Sequence, residues 1–217
     1  MTGSIAWAPY REKMLEQVGQ IALNEISAQD NFTAYTADKI ARLVIGDVRT
    51  DALRHFAMCA IFPQEQYLLP LYFSLWDEQE NKISFLVDIM PTVDSLIDEP
   101  FRIKYIEPIQ PLWDRFSNLA GITPFEDDTV RAVCSIIYTA AVMPIEREGM
   151  RLAALAPHTE YLKTYIEFIK DAPVVEDHTK LKEIKRKTEA IKGTLRSYLQ
   201  RTYGTLLNQS LIDMFFK

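Results

Sequence analysis

Four consecutive segments between residues 41 and 90 limit what this chain can fold into. "ARLVIGDV" (41–48), "LRHFAMCAIF" (53–62), "YLLPLYFSLW" (67–76) and "KISFLVDIM" (82–90) are rich in apolar, β-branched and aromatic residues. Short polar joints, "RTD", "PQEQ" and "DEQEN", separate them. That pattern predicts an antiparallel meander. Pro91 ends the last strand, because proline cannot donate to a ladder.

Helical patterns flank the meander. Leu15, Val18, Ile21, Ala22 and Ile26 recur at helical spacing among charges and predict a helix over 10–27. "YIEPIQPLWDRFSNL" (105–119) reads as a short, proline-opened helix, and "VRAVCSIIYTAAV" (130–142) as a further strand. Residues 150–172 read as helix apart from Pro157, 178–204 as a long helix stopped at Gly204, and "LLNQSLIDMFFK" as an apolar final helix. The order helix, sheet, helices predicts an α+β fold with a central antiparallel sheet and helices against its faces. A length of 217 residues suits one domain with its own core, spanning 1–217.

Several function classes find no support. No apolar run approaches 18 residues, so no membrane span is expected. The N-terminal stretch "MTGSIAWAPYREKMLEQ" has no basic segment followed by an apolar one, so no signal peptide is expected. Cys59 and Cys134 lie in apolar surroundings without framework spacing, as expected of reduced thiols in a cytoplasmic protein. His55, His158 and His178 are too scattered for a zinc site, and none lies on the strands expected to floor a pocket. His55 stands at a strand start, and His158 and His178 near predicted helix starts. No G-x-G-x-x-G follows a strand, and there is no P-loop and no G-x-S-x-G elbow. With seven glycines, a nucleotide-phosphate cradle is hard to build, so no standard NAD, FAD or ATP site is expected.

A net charge of −6 does not match a nucleic-acid footprint. The charge is uneven: residues 178–201 hold eight Lys or Arg and two Glu, leaving −12 on the rest. That helix, including Lys182, Lys185, Arg186 and Lys187, is either a solvated face or a docking patch for an acidic partner.

The residue that stands out is Asp88, set among Leu86, Val87, Ile89 and Met90. A carboxylate in such a strand is costly unless it is paired, protonated or used. Alternation puts Ser84, Leu86, Asp88 and Met90 on one face. A turn pairing Asp77 with Lys82 would set Leu75, Phe73 and Leu71 opposite Ser84, Leu86 and Asp88. Asp88 is then either a structural carboxylate meeting a backbone N–H or an arginine, or a proton donor for a large, flat hydrophobic substrate.

Here the chain resembles the ferredoxin-dependent bilin reductases. "YLLPLYFSLWDEQENKISFLVDIMP" is similar to their core, with Pro70 in the first strand and Asp88 followed by Pro91 in the second. "YIEPIQPLWDRFSNL" is similar to their next helix, "EYLKTYIEFIKDAPVVEDHTKLKEIKRK" to their two late helices and "RTYGTLLNQSLIDMFFK" to their C-terminal signature. The resemblance covers roughly residues 50–217.

The resemblance implies an α/β/α sandwich with an open-chain tetrapyrrole, biliverdin or a close relative, between the sheet and the C-terminal helices. It implies reduction by single electrons from ferredoxin, with no cofactor bound to the enzyme, and a docking role for the basic helix. The family's proton-donating aspartate carries over to Asp88. Leu71, Phe73, Ser84 and Leu86 would line the floor, and Arg131 and Arg151 would meet the propionates unless they are surface charges. Two departures stand out. No histidine lies between 56 and 157 to pair with the aspartate, and the place of a second acid, near Lys192-Gly193, holds neither acid nor proline. These features fit a divergent, early-branching member and weigh against multi-step reduction. The rival readings are a non-catalytic bilin carrier of the same fold and a reductase of an opened chlorophyll.

Overall fold

The computed structural model describes residues 9–50, 54–119, 123–124, 127–146 and 148–216. Its centre is one sheet in which every neighbouring pair is antiparallel. The strands are β1 (Asn24–Gln29), β2 (Phe32–Ala37), β3 (Ile40–Thr50), β4 (Arg54–Pro63), β5 (Leu71–Gln79), β6 (Lys82–Met90), a two-residue β7 (Thr123–Pro124) and β8 (Thr139–Pro144). Their spatial order is β1-β2-β3-β4-β5-β6-β8-β7. The expected meander is therefore β3 to β6. The N-terminal stretch through residue 8, and residues 51–53 with Asp51 of the "RTD" joint, lie outside the described residues.

Alternation sorts side chains to two faces. Tyr72, Trp76, Phe85 and Val87 enter one apolar cluster with α1 (Tyr10–Val18) and α5 (Glu148–Lys170). That layer also holds the helical stretch from α2 (Glu99–Phe101) to α3 (Gln110–Phe116). Phe73, Leu75, Leu86 and Met90 enter a second cluster with α6 (His178–Tyr203) and α7 (Gln209–Phe216), beside the short α4 (Asp128–Arg131). The result is the expected α/β/α sandwich.

The structure departs from the sequence expectations in five places. The first helix stops at Val18, and the chain turns into β1, whose exposed side chains take no part in either cluster. Ile21 and Ile26 had the helical spacing, yet Ile26 points to solvent on the outer strand. The β5–β6 turn is shorter than expected: Gln79 pairs with Lys82, so Phe73 lies opposite Asp88 and Leu75 opposite Leu86. Glu80 reaches φ 43° to close that two-residue turn. A shift of two residues leaves every side chain on its expected face. The 105–119 helix starts earlier, at Glu99, with Pro100 in its first turn and Asp98 accepting from the Phe101 N–H. The 130–142 segment is divided between α4 and β8. Finally, α5 runs through Pro157. Proline removes one helical N–H bond there, while Leu155, Leu162, Tyr165 and Ile166 pack the helix into the core.

Candidate functional site

Asp88 projects from β6 toward the α6–α7 layer and is 1% exposed. Phe73 stands opposite it on β5. No arginine or lysine pairs with it among the described residues; neutral donors hold it instead. Oδ1 accepts the Ile89 N–H at 2.8 Å and the Ser135 hydroxyl at 2.5 Å, and Oδ2 accepts the Ser135 N–H at 2.6 Å. The Cys134 thiol also lies against this carboxyl.

Burial raises the Asp88 pKa to about 6, and the Ser135, Ile89 and Cys134 donors hold that rise in check. The group therefore exchanges its proton close to neutral pH, where a general acid works best. Burial, then the neighbouring Asp88 charge, pushes the Cys134 thiol upward and keeps it protonated.

A cleft of about 300 Å³ opens beside this site, lined in part by Pro91, Val133, Cys134, Arg186, Lys187 and Ile191. Cys134 joins the two features, since it lines the cleft and touches the carboxyl. Beyond the cleft, the Asp88 face is filled by Leu195, Tyr198, Leu199, Tyr203 and Leu211.

The sequence-derived residues fall into three groups. Leu71, Phe73 and Leu86 share the buried cluster on the Asp88 side, and half-buried Ser84 lies further along β6, opposite Asp77. Lys182, Lys185 and Arg186 are exposed on α6, while half-buried Lys187 joins Arg186 on the cleft wall. The two arginines are not brought together with Asp88. Arg131 is exposed at the end of α4. Arg151 lies across the sheet, its Nε donating to Glu78 Oε1 at 2.7 Å.

Sequence reasoning missed Ser135, although it is a lone hydroxyl in the apolar run "VCSII", the same kind of signal that singled out Asp88. It also misplaced His158, which lies in the middle of α5 rather than near a helix start. His158 is fully buried on the far side of the sheet, with Nδ1 2.6 Å from Ser74 Oγ, which in turn lies 2.5 Å from Tyr10 OH. Burial lowers its pKa to about 3, so it stays neutral. His55 is buried on the same side, with Nε2 3.1 Å from Asp47 Oδ2.

No protein-family model and no curated protein sequence matches the chain. Solved structures do. Phytochromobilin synthase from tomato, determined in complex with biliverdin, superposes with a TM-score of 0.71 at 15% identity, covering 95% of this chain and 79% of that one. A structure of PcyX superposes with a TM-score of 0.53 at 10% identity, covering 96% of this chain and 93% of that one. The chain shares its fold with both.

Proposed function

We propose that this protein reduces a linear tetrapyrrole, biliverdin or a close relative, with electrons from ferredoxin and a proton from Asp88. One observation carries the reading: on the face that α6 and α7 cover, a buried acid with no cationic partner among the described residues has its pKa raised to about 6. The fold shared with a biliverdin-bound protein supports the substrate class.

Reduction of one double bond consumes two electrons and two protons. Ferredoxin delivers the electrons singly to the bound bilin. Asp88 gives its proton to the radical anion formed after the first electron arrives, leaving a neutral radical and a carboxylate held by the Ser135 and Ile89 donors. The second electron then reduces that radical, and a second proton drawn from solvent completes the product, with solvent also returning the Asp88 proton. The apolar walls formed by Phe73, Leu86 and Leu71 keep water from that proton. Arg186 and Lys187 at the cleft are the cations best placed for the substrate's carboxylates, ahead of Arg131 and Arg151. The exposed charges of Lys182 and Lys185 provide the docking surface for acidic ferredoxin.

Anaerobic absorption spectra test this reading. Biliverdin alone should shift its spectrum on binding, and reduced ferredoxin should then convert it into a new stable species. A binding shift with no conversion would identify a carrier, and no shift at all would remove the substrate class.

A further inference from the structure

We propose that Ser135 is the positioning residue of Asp88, fixing the carboxyl in one orientation and assigning the transferable proton to Oδ2. Ser135 lies between α4 and β8, 47 positions from Asp88 in sequence, and is buried. Its backbone N–H and its hydroxyl grip different oxygens of one carboxyl. The hydroxyl oxygen also receives the Ile137 N–H at 3.3 Å, so its own hydrogen is directed to Asp88 Oδ1. Among the hydrogen bonds that Ile89 and Ser135 make, Oδ1 receives two and Oδ2 one, and the Cys134 thiol reaches the same carboxyl. The oxygen with fewer donors keeps the freer lone pair and takes the proton. Three hydrogen bonds also fix the carboxyl plane, which a proton donor needs if its proton is to meet one carbon of the substrate.

The neighbouring groups leave this assignment to Ser135. Cys134 faces the carboxyl from the same segment as a neutral thiol. Arg186 and Lys187 of α6 line the cleft that Cys134 shares. Phe73 faces Asp88 from β5 and carries no charge. Tyr161 of α5, whose raised pKa includes an Asp88 contribution, is engaged with Thr139 and the Ile137 carbonyl.

The test requires no bilin, although the catalytic meaning rests on the proposed reductase. The carboxyl stretch of Asp88 is titrated by difference infrared spectroscopy, with Asp88→Asn to identify the band. Ser135→Ala removes a donor that favours the charged form, so the midpoint should rise by about one unit. Ser135→Thr keeps the hydroxyl and should restore the original midpoint. If Ser135→Ala does not fold, Ser135→Gly makes the same deletion. In the wild type the protonated band should be a single sharp component, and in the hydroxyl-deleted variant it should broaden or split as the proton spreads over both oxygens. An unchanged midpoint and band shape on hydroxyl deletion would overturn the proposal. In turnover, a general acid acts while protonated, so activity falls as pH rises through its pKa. That descending limb should move to higher pH in Ser135→Ala and return in Ser135→Thr. Failure of turnover with the infrared shifts intact would count against the reductase reading and leave the positioning role standing.

Discussion

At Asp88, burial raises the pKa from the ordinary 3.8 to about 6, so the folded chain holds that proton more tightly than the unfolded chain does. Stability from this group is complete below pH 3.8 and is lost as pH rises through 6, a loss of roughly 3 kcal/mol once the carboxylate is fully charged. Asp88→Asn cannot titrate, so its melting temperature should lack that fall between pH 4 and 6; parallel curves for the two proteins would contradict the assignment. Asparagine has one acceptor oxygen where the carboxyl uses two, so its amide nitrogen meets an N–H or O–H donor. The structure thus puts an added cost of about 1–3 kcal/mol on the substitution at low pH. His158 gives the opposite sign. Its pKa is depressed to about 3 by burial, so stability is lost as pH falls from 6.5 toward 3, while the unfolded chain takes up a proton. His158→Gln should lower the melting temperature near neutral pH and leave proton delivery on the other face unchanged; lost turnover in a well-folded variant would redraw the proton path. Asp88 was legible because an acid in an apolar strand is costly. Its partner was not, because Ser135 is brought to it only by the α4–β8 connection.

At the scale of elements, α6 combines the two functions of its sequence. Ile191, Leu195, Tyr198 and Leu199 cover the sheet, and the basic residues stand outside or at the cleft. Lys185 meets Glu65 at 3.6 Å, but that exposed pair contributes little stability. Because Arg186 and Lys187 line the cleft, Lys182 and Lys185 are the clean positions for testing docking. Changing both to Glu should slow electron delivery at low salt and flatten its salt dependence, measured by stopped flow with reduced ferredoxin. Turnover that keeps its rate and salt slope would move the docking surface elsewhere. The sequence displayed α6 and the central strands through their periodicities. It concealed β1 because "NEISAQ" has no buried side to set an alternation, so Ile26 was absorbed into a helical count.

For the molecule as a whole, the three layers were legible because each central strand buries both faces and therefore demands a covering layer on each side. How tightly the C-terminal layer closes over Asp88 was not legible. That closure depends on contacts such as Phe32 with Phe215 and Phe56 with Tyr203, which join residues far apart in the chain. On the proposed reading the bilin lies against α6 and α7, so amide exchange in those helices should change on addition of bilin more than exchange in α5. Equal protection changes in both layers would contradict binding on the Asp88 face.

Whether Asp88 supplies a proton to a bilin radical is read from anaerobic single turnover of biliverdin with reduced ferredoxin, comparing wild type with Asp88→Asn. Both proteins should bind the pigment, the wild type should form a stable reduced product, and the variant should accumulate a radical whose decay is slower by about 10²–10⁴-fold. A folded Asp88→Asn protein that forms the same product at the wild-type rate would contradict that role.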